Sequence, residues 1–214
     1  MARGMSVQLL LQNDESSHAT RNASVVLAAL RRPREIADQL LRLSAGIPIV
    51  GWNIDFEPWP HSHDPAHGTL YAHFLRTLRG LLSAHGQSTV TVCANNWTSL
   101  FSNYAQLASA ADTVFDMSTY HAESPSDFTR NLRKAADQFS QRNLPKLASG
   151  LAMYNRFAFE ADPASVGIRF AAITRARISH VALFAFPMSH GLDPWSGSNA
   201  TMREAWWDRV MMGS

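Results

Sequence analysis

The 214-residue sequence contains a single cysteine, Cys93, and this scarcity excludes two classes of small protein. One thiol cannot form an intrachain disulfide, and it cannot supply the several thiolates of a zinc cluster. Charged residues are also sparse, at 17% of the chain, with a formal net charge of +2. Lys and Arg are scattered without a long basic run, so we do not expect nucleic acid as a partner.

Long apolar runs are absent, although 46% of the residues are hydrophobic. No stretch is long enough to span a bilayer, so we expect no membrane partner. The N-terminal apolar run is short and alternates with polar residues, which predicts a strand and not a signal peptide; the compartment is left open. The length and hydrophobic content suit one globular domain over residues 1–214.

Two catalytic motifs are missing: no Gly-rich phosphate loop follows any predicted strand, and no Gly-x-Ser-x-Gly elbow occurs. The segment HSHDPAH, with His61, His63, Asp64 and His67, contains residue types that bind metals. It contains proline and lacks the helical spacing that would align ligands, so we interpret it as a solvated loop. We therefore predict neither a metal nor any other cofactor.

Strand-like and helix-like segments alternate along the chain. The predicted strands are residues 6–12, 47–57, 88–95, 113–121, 145–155 and 180–188. The predicted helices are residues 33–46, 68–86, 104–111, 124–143, 162–178 and 199–212. This alternation predicts a parallel sheet with right-handed crossovers, and pattern alone does not separate a doubly wound sheet from a (β/α) barrel.

The segment GWNIDFEPWP, residues 51–60, places polar groups at every second position of an apolar run. Alternate side chains of a strand point to opposite faces, so Asn53, Asp55 and Glu57 would share one face, about 6.6 Å apart. Two acids in a buried setting are costly unless a function uses them.

Polar or aromatic residues also end three other predicted strands. In both candidate architectures ligands bind at the carboxyl ends of the strands. These ends therefore point to one site, and the residues there are Asn95, Asn96, Tyr120, His121, Tyr154 and Arg156.

The segment GWNIDFE resembles the signature of the family 18 glycoside hydrolases, the chitinase family, in which an Asp-Gly pair precedes three alternating acids. Gly51, Asp55 and Glu57 match it, whereas Val50 and Asn53 stand where the family has Asp. The segments VQLLLQ, DMSTYH and PKLASGLAMYNR resemble the third, sixth and seventh strands of the family. After Tyr120 the family's Asp or Asn is replaced by His121, and Phe184 occupies the position of a late Trp.

The resemblance implies an α/β fold of the (β/α) TIM-type barrel class that begins at the family's third strand. Such a barrel would be incomplete and would lack the first two strand–helix units. A complete barrel takes about 250 residues, and this chain has 214. Because an open sheet has unpaired edges, we expect self-association through exposed sheet edges.

The resemblance also implies a chitinase-like glycoside hydrolase that cleaves β-1,4-linked N-acetylglucosamine by substrate-assisted retaining catalysis. Glu57 would be the general acid and then the base, Asp55 would orient the acetamido group, and Tyr120 would donate its hydroxyl to it. The candidate substrate-binding residues are Asn53, Asn95, Trp97, His121, Tyr154, Arg156 and Phe184.

Two alternatives remain open. The first is an inactive chitinase-like carbohydrate-binding protein, which the altered Val50, Asn53 and Phe184 favour and the retained Asp55 and Glu57 oppose. The second is a truncated, non-catalytic fragment, which the missing strand–helix units favour. For the enzyme and for the binding protein, the partner would be an oligo- or polysaccharide that contains N-acetylglucosamine.

Overall fold

The structure, a computed structural model, describes strands and helices that alternate along the chain. The described residues are 6–13, 23–58, 64–95, 100, 103–119, 122, 124–152 and 163–184. The chain divides into two compact units, Met1–Val114 and Phe115–Ser214, and each is treated by itself. A single domain over residues 1–214 stays a prediction.

Within its described residues, the first unit contains three strands and four helices. They are β1 (Gln8–Gln12), α1 (Ala23–Leu30), α2 (Pro33–Leu43), β2 (Gly51–Asp55), α3 (Pro65–Ser83), β3 (Thr89–Ala94) and α4 (Tyr104–Ala110). Strand β4 (Thr113–Asp116) crosses the boundary between the units. The second unit continues with α5 (Pro125–Ala136), a 3₁₀ turn (Leu144–Lys146), β5 (Leu147–Ala152), α6 (Pro163–Arg175) and β6 (His180–Phe184).

The six strands follow one another in the sheet in the order in which they occur in the chain. Strand β2 pairs in parallel with both β1 and β3, and Asn53 lies level with Leu10 on one side and with Thr91 on the other. In the second unit β5 and β6 are parallel, with Gly150 level with Ala182. Sequential parallel strands joined through helices confirm the predicted α/β class, which is that of a (β/α) barrel sheet.

Gly51 permits a close approach between the backbones of β2 and β3. A Cβ atom on residue 51 would lie 1.7 Å from the carbonyl oxygen of Thr89 and 2.6 Å from its carbonyl carbon. Backbone atoms of a paired strand cannot move aside as the end of a flexible side chain can. The glycine is therefore a steric requirement of this pairing.

Among the strand boundaries that differ from the predictions, two have clear local causes. Strand β2 begins at Gly51 and not at residue 47, because the Ile49 N–H bonds to the Ile47 carbonyl in a tight turn. Strand β4 ends at Asp116 and not at residue 121. There the Asp116 carboxylate accepts the backbone N–H of Ser118 at 3.0 Å and turns the chain.

Helix α1 was not predicted from the sequence. Its segment ASVVLAAL has no charged residue to mark a solvent face, although buried Val26 and Leu30 are spaced one helical turn apart. The predicted helix over residues 199–212 lies outside the described residues. No described helix combines the length and the apolar character needed to cross a bilayer.

We predict that Gly51→Ala destabilises the protein by about 3 kcal/mol, because the added Cβ would overlap the Thr89 carbonyl group. The matched control is Gly80→Ala, since a Cβ there, inside α3, has no atom within 4 Å apart from its chain neighbours and the nearby backbone of its own helix. We expect Gly80→Ala to stabilise the helix by about 0.5–1 kcal/mol. Urea unfolding midpoints of both variants measure the difference, and equal midpoints would contradict the steric account.

Candidate functional site

One face of β2 packs against helix α3. The side chains of Trp52, Ile54 and Phe56 are all buried. The Phe56 ring lies 6.2 Å from the ring of Tyr71 and 6.0 Å from that of Phe74, measured between centroids. Tilted rings at this spacing add favourable contacts to the burial itself, so this aromatic cluster fixes which face of β2 points toward the helix.

A chain of hydrogen bonds holds the start of the same face. The Trp52 Nε1–H donates to Gln87 Oε1 at 2.8 Å, and Gln87 Nε2 donates to Ser44 Oγ at 2.7 Å. The Ser44 hydroxyl in turn donates to the Leu40 carbonyl at 2.8 Å. Each polar group in this series of hydrogen bonds has a partner, and the series connects β2 to the end of helix α2.

The opposite face of β2 carries the polar side chains. Asn53, Asp55 and Glu57 are partly exposed, whereas the residues between them are buried. The register places Asp55 level with Gln12 at the carboxyl end of β1. An amide and two carboxylates therefore line one accessible face where β1 and β2 end.

Cys93, in β3, contacts this face. Its Sγ lies 3.4 Å from Asn53 Oδ1 and donates to it. Burial, and next the nearby Asp55 carboxylate, raise the pKa of the thiol well above its ordinary value. The thiol therefore stays protonated and orients the amide, with the Asn53 carbonyl oxygen toward Cys93.

Tyr71 of α3 also interacts electrostatically with Asp55 and Cys93. Its side chain is fully buried, and burial raises the pKa of the phenol well above its ordinary value, with smaller contributions from Cys93 and Asp55. Neither the thiol nor the phenol ionises at neutral pH. Hence these two neighbours add no negative charge beside Asp55.

Asn13, which is not among the site residues predicted from the sequence, holds the backbone of Glu57. Its Oδ1 accepts the Glu57 N–H at 2.6 Å, and its Nδ2 donates to the Glu57 carbonyl at 2.9 Å. One feature of the sequence could have indicated Asn13. It directly follows β1, and the predicted site residues likewise lie at the ends of strands.

In the second unit, polar side chains organise the chain directly before Tyr120. The Asp116 carboxylate accepts the backbone N–H and the hydroxyl of Ser118. The Thr119 hydroxyl lies 2.8 Å from the Gly150 carbonyl, and Asn131 Nδ2 donates to the Ser118 carbonyl at 2.9 Å. These side chains fix the turn after β4. Asp116 is fully buried, and it is a further acid that is not among the site residues predicted from the sequence.

The structure describes four of the predicted site residues with their side chains. Three of them, Asn53, Asp55 and Glu57, share the face described above. Asn95 directly follows β3, and its side chain is fully buried, so a sugar could reach it only if its neighbours moved. Phe184 is the last residue of β6 and lies level with Ala152. Outside the described residues lie Trp97, Tyr120, His121, Tyr154 and Arg156.

Two of the side chains considered as metal ligands lie at the start of helix α3. Asp64 caps the helix by accepting the Ala66 N–H at 2.9 Å, and His67 Nε2 lies 3.7 Å from Asp64 Oδ2. His67 is thus part of a helix and not of the predicted loop. Within the described ranges, no group of three or more His, Cys, Asp or Glu side chains is placed to hold a metal ion.

The sequence matches no protein-family model, and it matches no curated protein sequence. Among solved structures, a class V chitinase from Pseudomonas fluorescens is similar with a TM-score of 0.68 at 14% identity, over 96% of this chain and 81% of that one. The catalytic domain of a family GH18 chitinase from a fern is similar with a TM-score of 0.59 at 14% identity, over 95% and 68% of the two chains.

A third similar structure is the spore cortex-lytic enzyme SleL from Bacillus cereus, with a TM-score of 0.62 at 13% identity. The match covers 85% of this chain but only 56% of that enzyme. At 13–14% identity these similarities show a shared fold alone, that of a (β/α) barrel sheet.

The raised pKa of Cys93 predicts a loss of stability at alkaline pH. The unfolded chain releases the thiol proton above about pH 8.5, whereas the native state retains it, so stability is full below that pH and falls above it. The contribution approaches about 1.4 kcal/mol per pH unit. Urea titrations at pH 8.0, 9.0 and 9.5 on the parent and on Cys93→Ala measure it, and we expect a shallower slope for the variant. Equal slopes would contradict a native thiol of raised pKa.

Proposed function

We propose that the protein is a chitinase-like glycoside hydrolase that cleaves β-1,4-linked N-acetylglucosamine. The observation that supports this most directly is the pair Asp55 and Glu57, side by side on one accessible face at the carboxyl end of β2. The fold shared with chitinases supports it further. In parallel α/β sheets, ligands bind at this end of the strands.

In the proposed reaction the acetamido oxygen of the substrate attacks the anomeric carbon, and the bond to the leaving sugar breaks. Glu57 donates its proton to the leaving oxygen, and Asp55 orients the acetamido group and stabilises the resulting oxazolinium cation. Water then opens that ring, and Glu57 takes back a proton, so that the configuration is retained. Glu57 thus acts first as the general acid and then as the general base.

Asn53 distinguishes this site from one with three alternating acids. It offers Asp55 an amide where a third acid would offer a carboxyl group, so one titrating charge is absent. Cys93 holds the oxygen of that amide at 3.4 Å, which leaves the Nδ2 donor free to turn toward the acid side of the face. The proposed enzyme therefore keeps a hydrogen-bond donor near Asp55 at every pH.

The remaining predicted residues complete the proposal. Tyr120 donates its hydroxyl to the acetamido oxygen, and no metal or other cofactor takes part. The substrate is an oligo- or polysaccharide that contains N-acetylglucosamine, and the other proposed substrate-binding residues are Asn95, Trp97, His121, Tyr154, Arg156 and Phe184.

We predict that Glu57→Gln lowers the rate of cleavage of a fluorogenic chitobiose substrate by about 10²–10⁴-fold, because glutamine keeps the shape but cannot supply a proton. Binding of N-acetylglucosamine oligomers, measured by calorimetry, should survive. The matched control is Glu35→Gln on helix α2, where an exposed glutamate pairs only with exposed Arg32 at 3.5 Å among the contacts described. It should leave both the rate and the binding unchanged.

The outcomes separate the proposed enzyme from the two alternatives. A parent protein that binds the oligomers but does not cleave them would be an inactive carbohydrate-binding protein. A parent that neither binds nor cleaves would be a non-catalytic fragment. A Glu57→Gln variant with most of the parent activity would exclude Glu57 as the acid.

The proposal also includes self-association through the outer edge of β1. This strand is first in the sheet order, and among the described strands it pairs with β2 alone. Val7 is 50% exposed and Leu10 is 51% exposed, so apolar side chains flank backbone groups that a further strand could pair with.

We predict that the parent protein forms dimers or larger species in size-exclusion chromatography with light scattering, and that Leu10→Lys shifts it toward monomer. A charge on an edge strand discourages strand addition. The control is Leu43→Lys, on a helix residue that is 71% exposed. Monomeric parent protein at high concentration would contradict association through this edge.

A further inference from the structure

The side chain of Asn13 extends the pairing of β1 and β2 beyond the last paired residues. The parallel register ends with Gln12 level with Asp55. Beyond it, the amide group of Asn13 accepts the Glu57 N–H at 2.6 Å and donates to the Glu57 carbonyl at 2.9 Å. One planar amide therefore satisfies both backbone groups of one residue, a task that takes two separate peptide groups of the neighbouring strand in a parallel ladder.

This contact is specific to Asn among the common residues. It requires one acceptor and one donor on the same short, planar group, aimed at one residue. Aspartate supplies the acceptor but no donor, and alanine supplies neither. Glutamine has the same amide but one more methylene, which would carry the group past the Glu57 backbone.

We propose that Asn13 is a positioning residue for Glu57, which holds the acid's backbone beyond the end of β2. This rests on the proposed role of Glu57 as the general acid. Strand β2 ends at Asp55, so Glu57 lies two residues beyond the described ladder. A general acid must come within about 2.6–3.2 Å of the leaving oxygen, and a displacement near 1 Å can lower the rate about 100-fold.

The first measurement does not depend on catalysis. Amide hydrogen exchange of Glu57 is followed by NMR in ¹⁵N-labelled parent, Asn13→Ala and Asn13→Asp. In Asn13→Ala we expect the exchange rate of the Glu57 amide to rise by about 10-fold or more. This factor corresponds to the net free energy of one hydrogen bond. Asn13→Asp keeps an acceptor for the Glu57 N–H, so its exchange should stay closer to that of the parent.

The matched control is Asn103→Ala. Asn103 also uses its side-chain oxygen to accept a backbone N–H, that of Gln106 at 3.0 Å, where it caps helix α4. This variant loses a bond of the same kind elsewhere in the same unit. It should leave the exchange of the Glu57 amide unchanged.

The second measurement uses cleavage of the fluorogenic chitobiose substrate. We expect Asn13→Ala and Asn13→Asp to lower kcat by about 10- to 100-fold with little change in KM. Asn103→Ala should leave both constants near those of the parent. Because Asn13→Asp adds a carboxylate next to Glu57, the limb of its pH–rate profile that reports the acid should move to higher pH.

The two measurements test different claims, so one claim can be contradicted while the other stands. If the parent does not cleave the substrate, the proposed function fails, and the exchange data still decide whether Asn13 holds Glu57. If the Glu57 amide exchanges equally fast in the parent and in Asn13→Ala, the positioning role is overturned even in an active enzyme. Should Asn13→Ala fail to fold, an unchanged kcat in folded Asn13→Asp would likewise overturn it.

Discussion

The packing of β2 against helix α3 is the constraint on which the rest of the site depends. Phe56 lies within about 6 Å of the Tyr71 and Phe74 rings, and Trp52 is hydrogen-bonded to Gln87. Side chains alternate along a strand, so once this apolar face is fixed, the amide and the two acids must occupy the other face. A shift of one residue would bury Asp55 and Glu57 against aromatic rings, where their desolvation would be prohibitive.

That single constraint also sets the electrostatics of the polar face. Cys93 and Tyr71 lie close enough to Asp55 for its charge to add to the effect of burial on their pKa values. Both groups therefore remain neutral hydrogen-bonding groups at neutral pH. The polar face of β2 combines two carboxylates with the neutral thiol donor of Cys93, an arrangement that suits the proposed proton transfer by one acid and hydrogen bonding by the other.

Features set by a repeating residue pattern could be predicted from the sequence, whereas features set by a local hydrogen bond could not. The predicted starts of α2, at Pro33, and of α4, at Tyr104, agree with the structure. The end of β4 was placed too late, because the turn at Asp116 depends on a side chain that accepts the Ser118 N–H. Helix α1 was overlooked because its apolar segment lacks the polar face that usually marks helical periodicity.

The sequence by itself determined the parallel α/β class and the alternation that groups Asn53, Asp55 and Glu57, because both follow from residue spacing along one segment. Only the tertiary structure decided which groups surround them. The bond from Asn13 to Glu57 joins residues 44 positions apart, and the contact of Cys93 with Asn53 joins residues 40 apart. The steric need for Gly51 likewise arises from the Thr89 carbonyl on the next strand. Such contacts depend on strand register and on the packing of helices against the sheet. The residue spacing within one segment determines neither of them.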